Sequence, residues 1–365
     1  MPRPISHPYA KTAASQLSQH ASPTSSEAHK TPTSPDAYIT MSIRQNILVT
    51  SAGKRVELVK AIKNTAHDLL GSNVKIYTTD MNPAMAPAGY VSDECIKVPR
   101  VTDESYPQIL RDICYKYSVG LLIPTIDTEL VLLSELYDEF KAQGTHIAIS
   151  DSTFIHQCRD KRLINKFFEQ HDISIPTPVD KYDPTFPCFA KPYDGSLSTN
   201  IHVLRGPEDL TKEISEDPKL MFMEYIDKNV YKEFTVDMYY GIDGKVKSIV
   251  PRLRIEIRAG EINKGVTRKN SIIAYLRSRL GHLDGVRGVI CLQLFYDEAS
   301  GDIKAIEINP RFGGGYPLSY EAGANYIEYL IREYLLGHNL EYDESWKDNF
   351  LMLRYDAAIF TQLKG

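Results

Sequence analysis

Glu307 and Asn309 stand two residues apart in the run Ile303-Lys-Ala-Ile-Glu-Ile-Asn-Pro-Arg311, and Gln293 lies in the apolar run before it, Gly288-Val-Ile-Cys-Leu-Gln-Leu-Phe-Tyr-Asp297. Side chains alternate along a strand, so Ala305, Glu307 and Asn309 share one face, with Ile306 and Ile308 on the other. A short loop containing Gly301 separates the two runs, which predicts a β-hairpin. With Asp297 opposite Ile303, antiparallel pairing sets Gln293 opposite Glu307 on the same face. Such an oxygen-only donor set suits Mg²⁺ or Mn²⁺ and leaves positions for water and phosphate oxygens. Arg311, directly after, is a planar cation suited to a transferring phosphate or a carboxylate. An exposed polar face on an edge hairpin would show the same alternation, so this motif carries weight only together with others.

A second group of cations lies upstream. From Asp151 the chain has the pattern of a helix that contains Asp160-Lys161 and ends before a Pro-marked strand at Pro176-Thr-Pro178, and Pro187-Cys-Phe-Ala-Lys-Pro192 is a short strand carrying Lys191. The small-residue loop Tyr193-Asp-Gly-Ser-Leu-Ser-Thr-Asn200 follows, then a strand at Ile201-His-Val-Leu204. A loop of this composition can donate backbone N–H and hydroxyl hydrogen bonds to phosphates, although any hairpin turn could have it. Leu220-Met-Phe-Met-Glu-Tyr-Ile226 is an apolar strand whose end can offer backbone groups to a base edge. Further on, Arg252, Arg254 and Arg258 are evenly spaced and predict one cationic strand face, with Leu253, Ile255 and Ile257 behind it. That face would stabilise charge during phosphoryl transfer, or simply be solvated.

The elements that must position these groups begin with Asn46-Ile-Leu-Val-Thr-Ser-Ala-Gly-Lys-Arg55, a strand and small-residue turn leading into a helix. Strand patterns at Val74 to Asp80, Cys95 to Val98, Leu121 to Pro124 and Thr145 to Ile149, with helices between, predict a doubly wound α/β domain. Ser51-Ala-Gly-Lys-Arg lacks both GxGxxG and the Walker pattern, which argues against a dinucleotide site or a P-loop. Thr125-Ile-Asp-Thr-Glu129 follows another strand, and Asp127 and Glu129 could bind a cationic acceptor or act as a helix cap and first-turn carboxylate.

Taken in order along the chain, these motifs resemble ATP-grasp enzymes, and residues 46 to 336 are most similar to one half-unit of the carbamoyl phosphate synthetase large chain. The resemblance implies an ATP-grasp fold, α/β with α+β character in the catalytic part, preceded by a doubly wound pre-ATP-grasp domain. It assigns Lys161, Lys191, Gly195, Ser196 and Ser198 to the nucleotide phosphates, and Glu224, Tyr225 and Ile226 to the adenine. Glu233, rather than Asp237, goes to the ribose. The metal ligands become Gln293, Glu307 and Asn309, and Arg311, Lys191 and Arg258 become the catalytic cations. Ser51-Ala-Gly and Thr125 to Glu129 would border the acceptor side. The implied segments are a leader at 1–40, the pre-ATP-grasp domain at 41–150, a small subdomain with the phosphate loop at 151–225, and the metal-bearing subdomain at 226–365.

The expected activity is that of an ATP-dependent ligase: Mg²⁺-ATP phosphorylates a small carboxylate, and an amine attacks the acyl phosphate, releasing ADP and phosphate. A complete carbamoyl phosphate synthetase needs two such units, and no feature here is specific to biotin. A catalytically silent ATP-binding regulatory module is the non-enzyme alternative, disfavoured by retention of all three metal ligands. A homodimer is compatible with the resemblance.

Composition agrees with a globular protein: 365 residues, 42% hydrophobic and 24% charged, enough for two or three packed units. A net charge of −5 gives no basic footprint for nucleic acid, and no apolar run approaches the length needed to span a membrane. The five cysteines, Cys95, Cys114, Cys158, Cys188 and Cys291, form no metal-binding spacing and read as reduced thiols of a cytoplasmic protein. Residues 1–40 are rich in Ser, Thr, Ala, Pro and His, with no hydrophobic periodicity and no apolar signal core, which predicts disorder.

Overall fold

The computed structural model describes residues 44–194, 200–258 and 260–362, all within the compact unit Ile43–Gly365. Its first sheet is parallel, with strands β1 (Asn46–Val49), β2 (Ile76–Asp80), β3 (Glu94–Lys97), β4 (Val119–Ile123) and β5 (His146–Ile147) in the order β3-β2-β1-β4-β5. Helices α1 (Val56–Leu70), α2 (Tyr106–Lys116), α3 (Asp127–Glu135) and α4 (Tyr137–Ala142) intervene. The apolar runs of β1 and β4 are buried on both faces, as parallel strands between helix layers must be. The chain winds outward in opposite directions from β1 and β4, so a crevice opens at their carboxyl ends.

Glu129 closes the bottom of that crevice. Its fully buried carboxylate accepts hydrogen bonds from Thr50 Oγ1 (2.9 Å), Ser51 Oγ (3.0 Å), Thr125 N (2.8 Å) and Ile126 N (3.3 Å). Burial pushes its pKa up, and these donors oppose the shift. Of the two roles open to Glu129, the structure takes the first-turn carboxylate: it satisfies donors at the start of α3 and ties the ends of β1 and β4 together, out of reach of an acceptor.

The single helix expected from Asp151 is divided into α5 (Ser152–Arg159) and α6 (Lys161–Gln170). Asp160 breaks it, because its carboxylate accepts from Arg162 N (2.8 Å) and starts a second helix there, placing Lys161 in the first turn of α6. A small antiparallel sheet follows, ordered β7-β6-β8, from β6 (Cys188–Pro192), β7 (His202–Leu204) and β8 (Leu220–Glu224), with α7 (Lys212–Glu216) between the last two. Cys188, Ala190, Leu204, Leu220 and Phe222 form its own core.

The third sheet is antiparallel and ordered β13-β12-β9-β10-β11-β14. Its strands are β9 (Lys232–Tyr240), β10 (Val246–Arg258), β11 (Glu261–Thr267), β12 (Gly288–Tyr296), β13 (Ile303–Asn309) and β14 (Leu351–Leu353). Helix α8 (Ser271–Leu280), capped by Asn270, packs on the face of the sheet that carries Phe234, Val236 and Met238. After the β12–β13 hairpin come two helices, α9 (Tyr316–Glu321) and α10 (Tyr326–Tyr334), separated where Gly323 takes a left-handed φ of 110°. The opposite face of β9 begins with Glu233 and Thr235, which border a cavity, and ends with Asp237 and Tyr239, which bond to Ser319 of α9 and Glu333 of α10.

The predicted hairpin is present as β12 and β13, and Gln293 does pair with Glu307. The closing pair differs: Tyr296, not Asp297, faces Ile303, and a bulge between the 294–305 and 293–307 pairs restores the register. The extra residue is Ile306, so alternation is interrupted there. Ala305 is buried in the core with Ile303 and Ile308, whereas Ile306 joins Glu307 and Asn309 on the cavity side. The expected grouping of Ala305 with Glu307, and of Ile306 with the core, is corrected accordingly.

Candidate active site

A cavity of about 980 Å³ lies between the crevice of the parallel sheet, the small sheet and the open face of the third sheet. Gln293, Glu307, Asn309, Arg311, Lys161, Lys191, Glu224, Tyr225, Ile226 and Glu233 all line it. Residues separated by up to 150 positions in the chain therefore share one chamber.

The oxygen donors gather on the bulged hairpin. Asn309 Nδ2 donates to Glu307 Oε1 (3.0 Å), and Gln293 Oε1 accepts from Arg254 Nη1 (3.3 Å). Among the described residues no group of three His, Cys, Asp or Glu side chains is arranged to hold a metal. The set here is instead one carboxylate and two amides, a fit for Mg²⁺ only when phosphate oxygens complete the shell, since this ion dehydrates reluctantly and commonly uses one or two carboxylates plus substrate phosphates.

Lys191 reaches into the same space from β6, and burial pushes its pKa down to about 8. The Glu307 carboxylate opposes that shift and Lys161 adds to it, so the two lysines and the acid are electrostatic neighbours. Lys161 is fixed at its backbone, where its N–H donates to Tyr193 O (2.9 Å), next to the loop that carries Gly195, Ser196 and Ser198. Those three loop residues lie outside the described residues.

At the end of β8, Glu224 is fixed by its backbone N–H to Thr177 O (2.8 Å) and by its carboxylate to Thr177 N (3.0 Å) and Lys304 Nζ (3.1 Å). Lys304 bridges the small sheet to the β12–β13 hairpin, a role that the sequence pattern did not signal. Ile226 is buried against the cavity beside Tyr225. Glu233 is ion-paired with Arg254, whose Nη2 also donates to Gly260 O (3.1 Å) and whose Nε is buried with no partner among the described residues. Arg254 thus touches the residue expected at the ribose and the residue expected at the metal.

Arg258 is the assigned residue that the structure takes away from the cavity. Register shifts on either side of Glu256 rotate the strand, so Ile257 lines the cavity and Arg258 points to solvent, paired with Asp356. Arg252 and Arg254 do face inward, as alternation predicted. Arg252 is wholly buried and donates through Nε and Nη2 to the two oxygens of Asp237, both at 2.8 Å. Asp237 is thereby committed to the pair with Arg252.

Gly313 and Gly315, just after Arg311, lie on this buried pair, and Gly314 between them lies on Glu261. A Cβ on Gly315 would sit 2.2 Å from Arg252 Nη1, and one on Gly313 would sit 2.8 Å from Cys291 Sγ. Only a chain without side chains can pass there. Arg311 Nη2 donates to Asp127 Oδ2 (2.7 Å), so the candidate acceptor ligand Asp127 is held by an arginine of the catalytic part. Arg55, named in the sequence only as part of the turn after β1, also enters the cavity and was missed as a site residue; a basic pair at a strand end was its single signal.

Two family models match the sequence: "PylC-like, N-terminal domain" over residues 47–148 and "ATP-grasp in the biosynthetic pathway with Ter operon" over residues 216–355. Solved structures with similar folds include the biotin carboxylase domain of 2-oxoglutarate carboxylase from Hydrogenobacter thermophilus, in complex with MgADP, ADP and bicarbonate. It is 15% identical, with a TM-score of 0.64 over 84% of this chain and 73% of that one. N5-carboxyaminoimidazole synthetase from Staphylococcus aureus, complexed with ADP, is 16% identical, with a TM-score of 0.60 over 81% and 78%. An L-amino acid ligase from Bacillus licheniformis is 16% identical, with a TM-score of 0.59 over 80% and 74%. A search of curated protein sequences finds no significant match. Residues 216–355 thus carry an ATP-grasp domain and residues 47–148 a PylC-like N-terminal domain, and the fold is that of ATP-grasp enzymes. No helix among the described residues is long and apolar enough to cross a membrane.

Proposed function

We propose that this protein is an ATP-dependent ligase that activates a small carboxylate as its acyl phosphate and transfers the acyl group to an amine. The observation that carries this reading is the placement of Glu307, Asn309 and Gln293 across one cavity from Lys161 and Lys191. Adenine lies at Glu224, Tyr225 and Ile226, the ribose at Glu233, and the triphosphate under Lys161, Lys191 and the loop of Gly195, Ser196 and Ser198. A divalent ion held by Glu307, Asn309 and Gln293 would neutralise β- and γ-phosphate charge. Asn309 would turn its oxygen inward for this, releasing its present hydrogen bond to Glu307. Arg311 holds the carboxylate, whose oxygen attacks the γ-phosphorus as ADP departs. The amine then attacks the acyl carbon, phosphate leaves and a proton is lost. Lysines and arginines supply position and charge rather than covalent chemistry.

The segment boundaries at about 150 and 225 follow the three sheets and remain part of this proposal, as do a cytoplasmic location, a homodimer and the likeness to a carbamoyl phosphate synthetase half-unit. Nucleotide analysis after incubation with ATP, Mg²⁺, small carboxylates and amines tests the reaction class. ADP and phosphate are the expected products. AMP and pyrophosphate would assign an adenylating reaction, and ATP bound without turnover would leave a regulatory module.

A further inference from the structure

Arg55 and Arg311 meet at one point although they are far apart in the chain. Arg55 Nη1 and Arg311 Nη1 both donate to the carbonyl oxygen of Phe312, each at 3.2 Å. The second hydrogen bond of Arg55 goes to another carbonyl, Thr125 O at 2.9 Å, at the carboxyl end of β4. Arg311 has Asp127, but no carboxylate is a hydrogen-bond partner of Arg55 among the described residues. Burial and the neighbouring Arg311 charge lower the pKa of Arg55 to about 10. Arg311 Nε is buried and has no hydrogen-bond partner among the described residues. Nearby Glu261 is already shared by Lys54 (3.2 Å) and Arg354 (2.9 Å), so this end of the cavity has more cationic groups than carboxylates.

Two partly desolvated guanidinium groups that share a neutral carbonyl are an incomplete anion site, because a planar anion can accept from both forks at once. We infer that Arg55 and Arg311 together bind the carboxylate of the substrate to be phosphorylated, making Arg55 a specificity-determining residue and the substrate an anionic carboxylate rather than a cation held at Asp127. This inference rests on the ligase reading above and adds Arg55 to it. Arg311 also touches Asn309 Oδ1 (3.4 Å), so an anion between the two arginines lies at the metal-bearing end of the cavity, where the γ-phosphate is placed. Asp127 then orients Arg311 and is unavailable to a cationic substrate.

The test uses bicarbonate, acetate, succinate, glycine and L-glutamate as probes, each with and without a primary amine, with ethanolamine alone as the carboxylate-free control. ADP release is followed in the full chain and in Arg55→Lys and Arg55→Gln. The lysine variant keeps a charge for the Phe312 carbonyl, and melting curves check that both variants fold. At least one carboxylate should stimulate ADP release, and both variants should raise its half-saturating concentration roughly 10- to 100-fold, the range for lost charged hydrogen bonds. The half-saturating ATP concentration should stay within about twofold, since the proposal gives Arg55 a contact with the carboxylate and none with the nucleotide. Stimulation with unchanged carboxylate dependence in both variants, or stimulation by ethanolamine alone, overturns the proposal and leaves the ligase reading standing. Absence of ADP with every probe sinks the ligase reading instead. Calorimetric titration of the same carboxylates into the MgADP complex then decides the arginine site: binding weakened by the variants supports it, and absence of binding overturns it.

Discussion

Nucleotide binding should take up a proton near pH 8, and Lys191 should be its source. Burial lowers this lysine's pKa to about 8, so in the free protein it loses its charge where an ordinary lysine keeps it. A triphosphate placed against it favours the charged form, which restores protonation in the complex. Uptake should then be about 0.1 proton at pH 7, about 0.5 at pH 8 and about 0.9 at pH 9. The sign follows: affinity is highest below the depressed pKa and falls as pH rises through it, by roughly tenfold, or about 1.4 kcal/mol, between pH 7 and pH 9. Titrating MgADP or a non-hydrolysable ATP analogue by calorimetry in two buffers of different ionisation enthalpy measures the uptake directly. Lys191→Arg carries a permanent charge and should abolish it. Glu307→Gln removes the carboxylate that supports the lysine's charge and should move the midpoint lower. Zero uptake between pH 8 and pH 9, or full uptake persisting in Lys191→Arg, would refute the placement of Lys191 against the phosphates.

Four further outcomes are expected. Lys191→Ala should weaken ATP binding by roughly 1.5–3 kcal/mol, the range for a hydrogen bond to a charged group, as measured by calorimetry. Glu307→Gln should retain an ATP complex while turnover falls by orders of magnitude, and Asn309→Ala should lose less because a neutral ligand is removed; near-wild-type turnover of Glu307→Gln at saturating Mg²⁺ would end the metal assignment. Asp237→Ala strands the buried Arg252 charge and should cost about 3–5 kcal/mol in denaturant unfolding. Glu129→Ala leaves Thr50, Ser51 and Thr125 N–H without their acceptor, and a loss of about 3 kcal/mol is expected from the same measurement, with Glu129→Gln milder.

Local chemistry was legible in the sequence wherever it followed the strand period. The facing of Gln293 and Glu307, the inward Arg252 and Arg254, and the βα alternation of the first domain depend on alternation and on turn residues, which neighbouring positions encode. Period-two reasoning presumes an unbroken strand. It therefore misassigned Ala305 and Ile306 beside the bulge in β13, and Arg258 beyond the register shifts around Glu256, where one extra residue exchanges the faces. Asp127 and Glu129 present the opposite case, two acids in one local context with one set of sequence options. Only the closing of β1 against β4 buried Glu129 among their donors, while the approach of Arg311, from 184 residues away, claimed Asp127. Arg55 acquired its position in the same way, through the carbonyl of Phe312 at a separation of 257 residues, because the charge and burial of a side chain in a cavity are set by segments that chain neighbours do not encode.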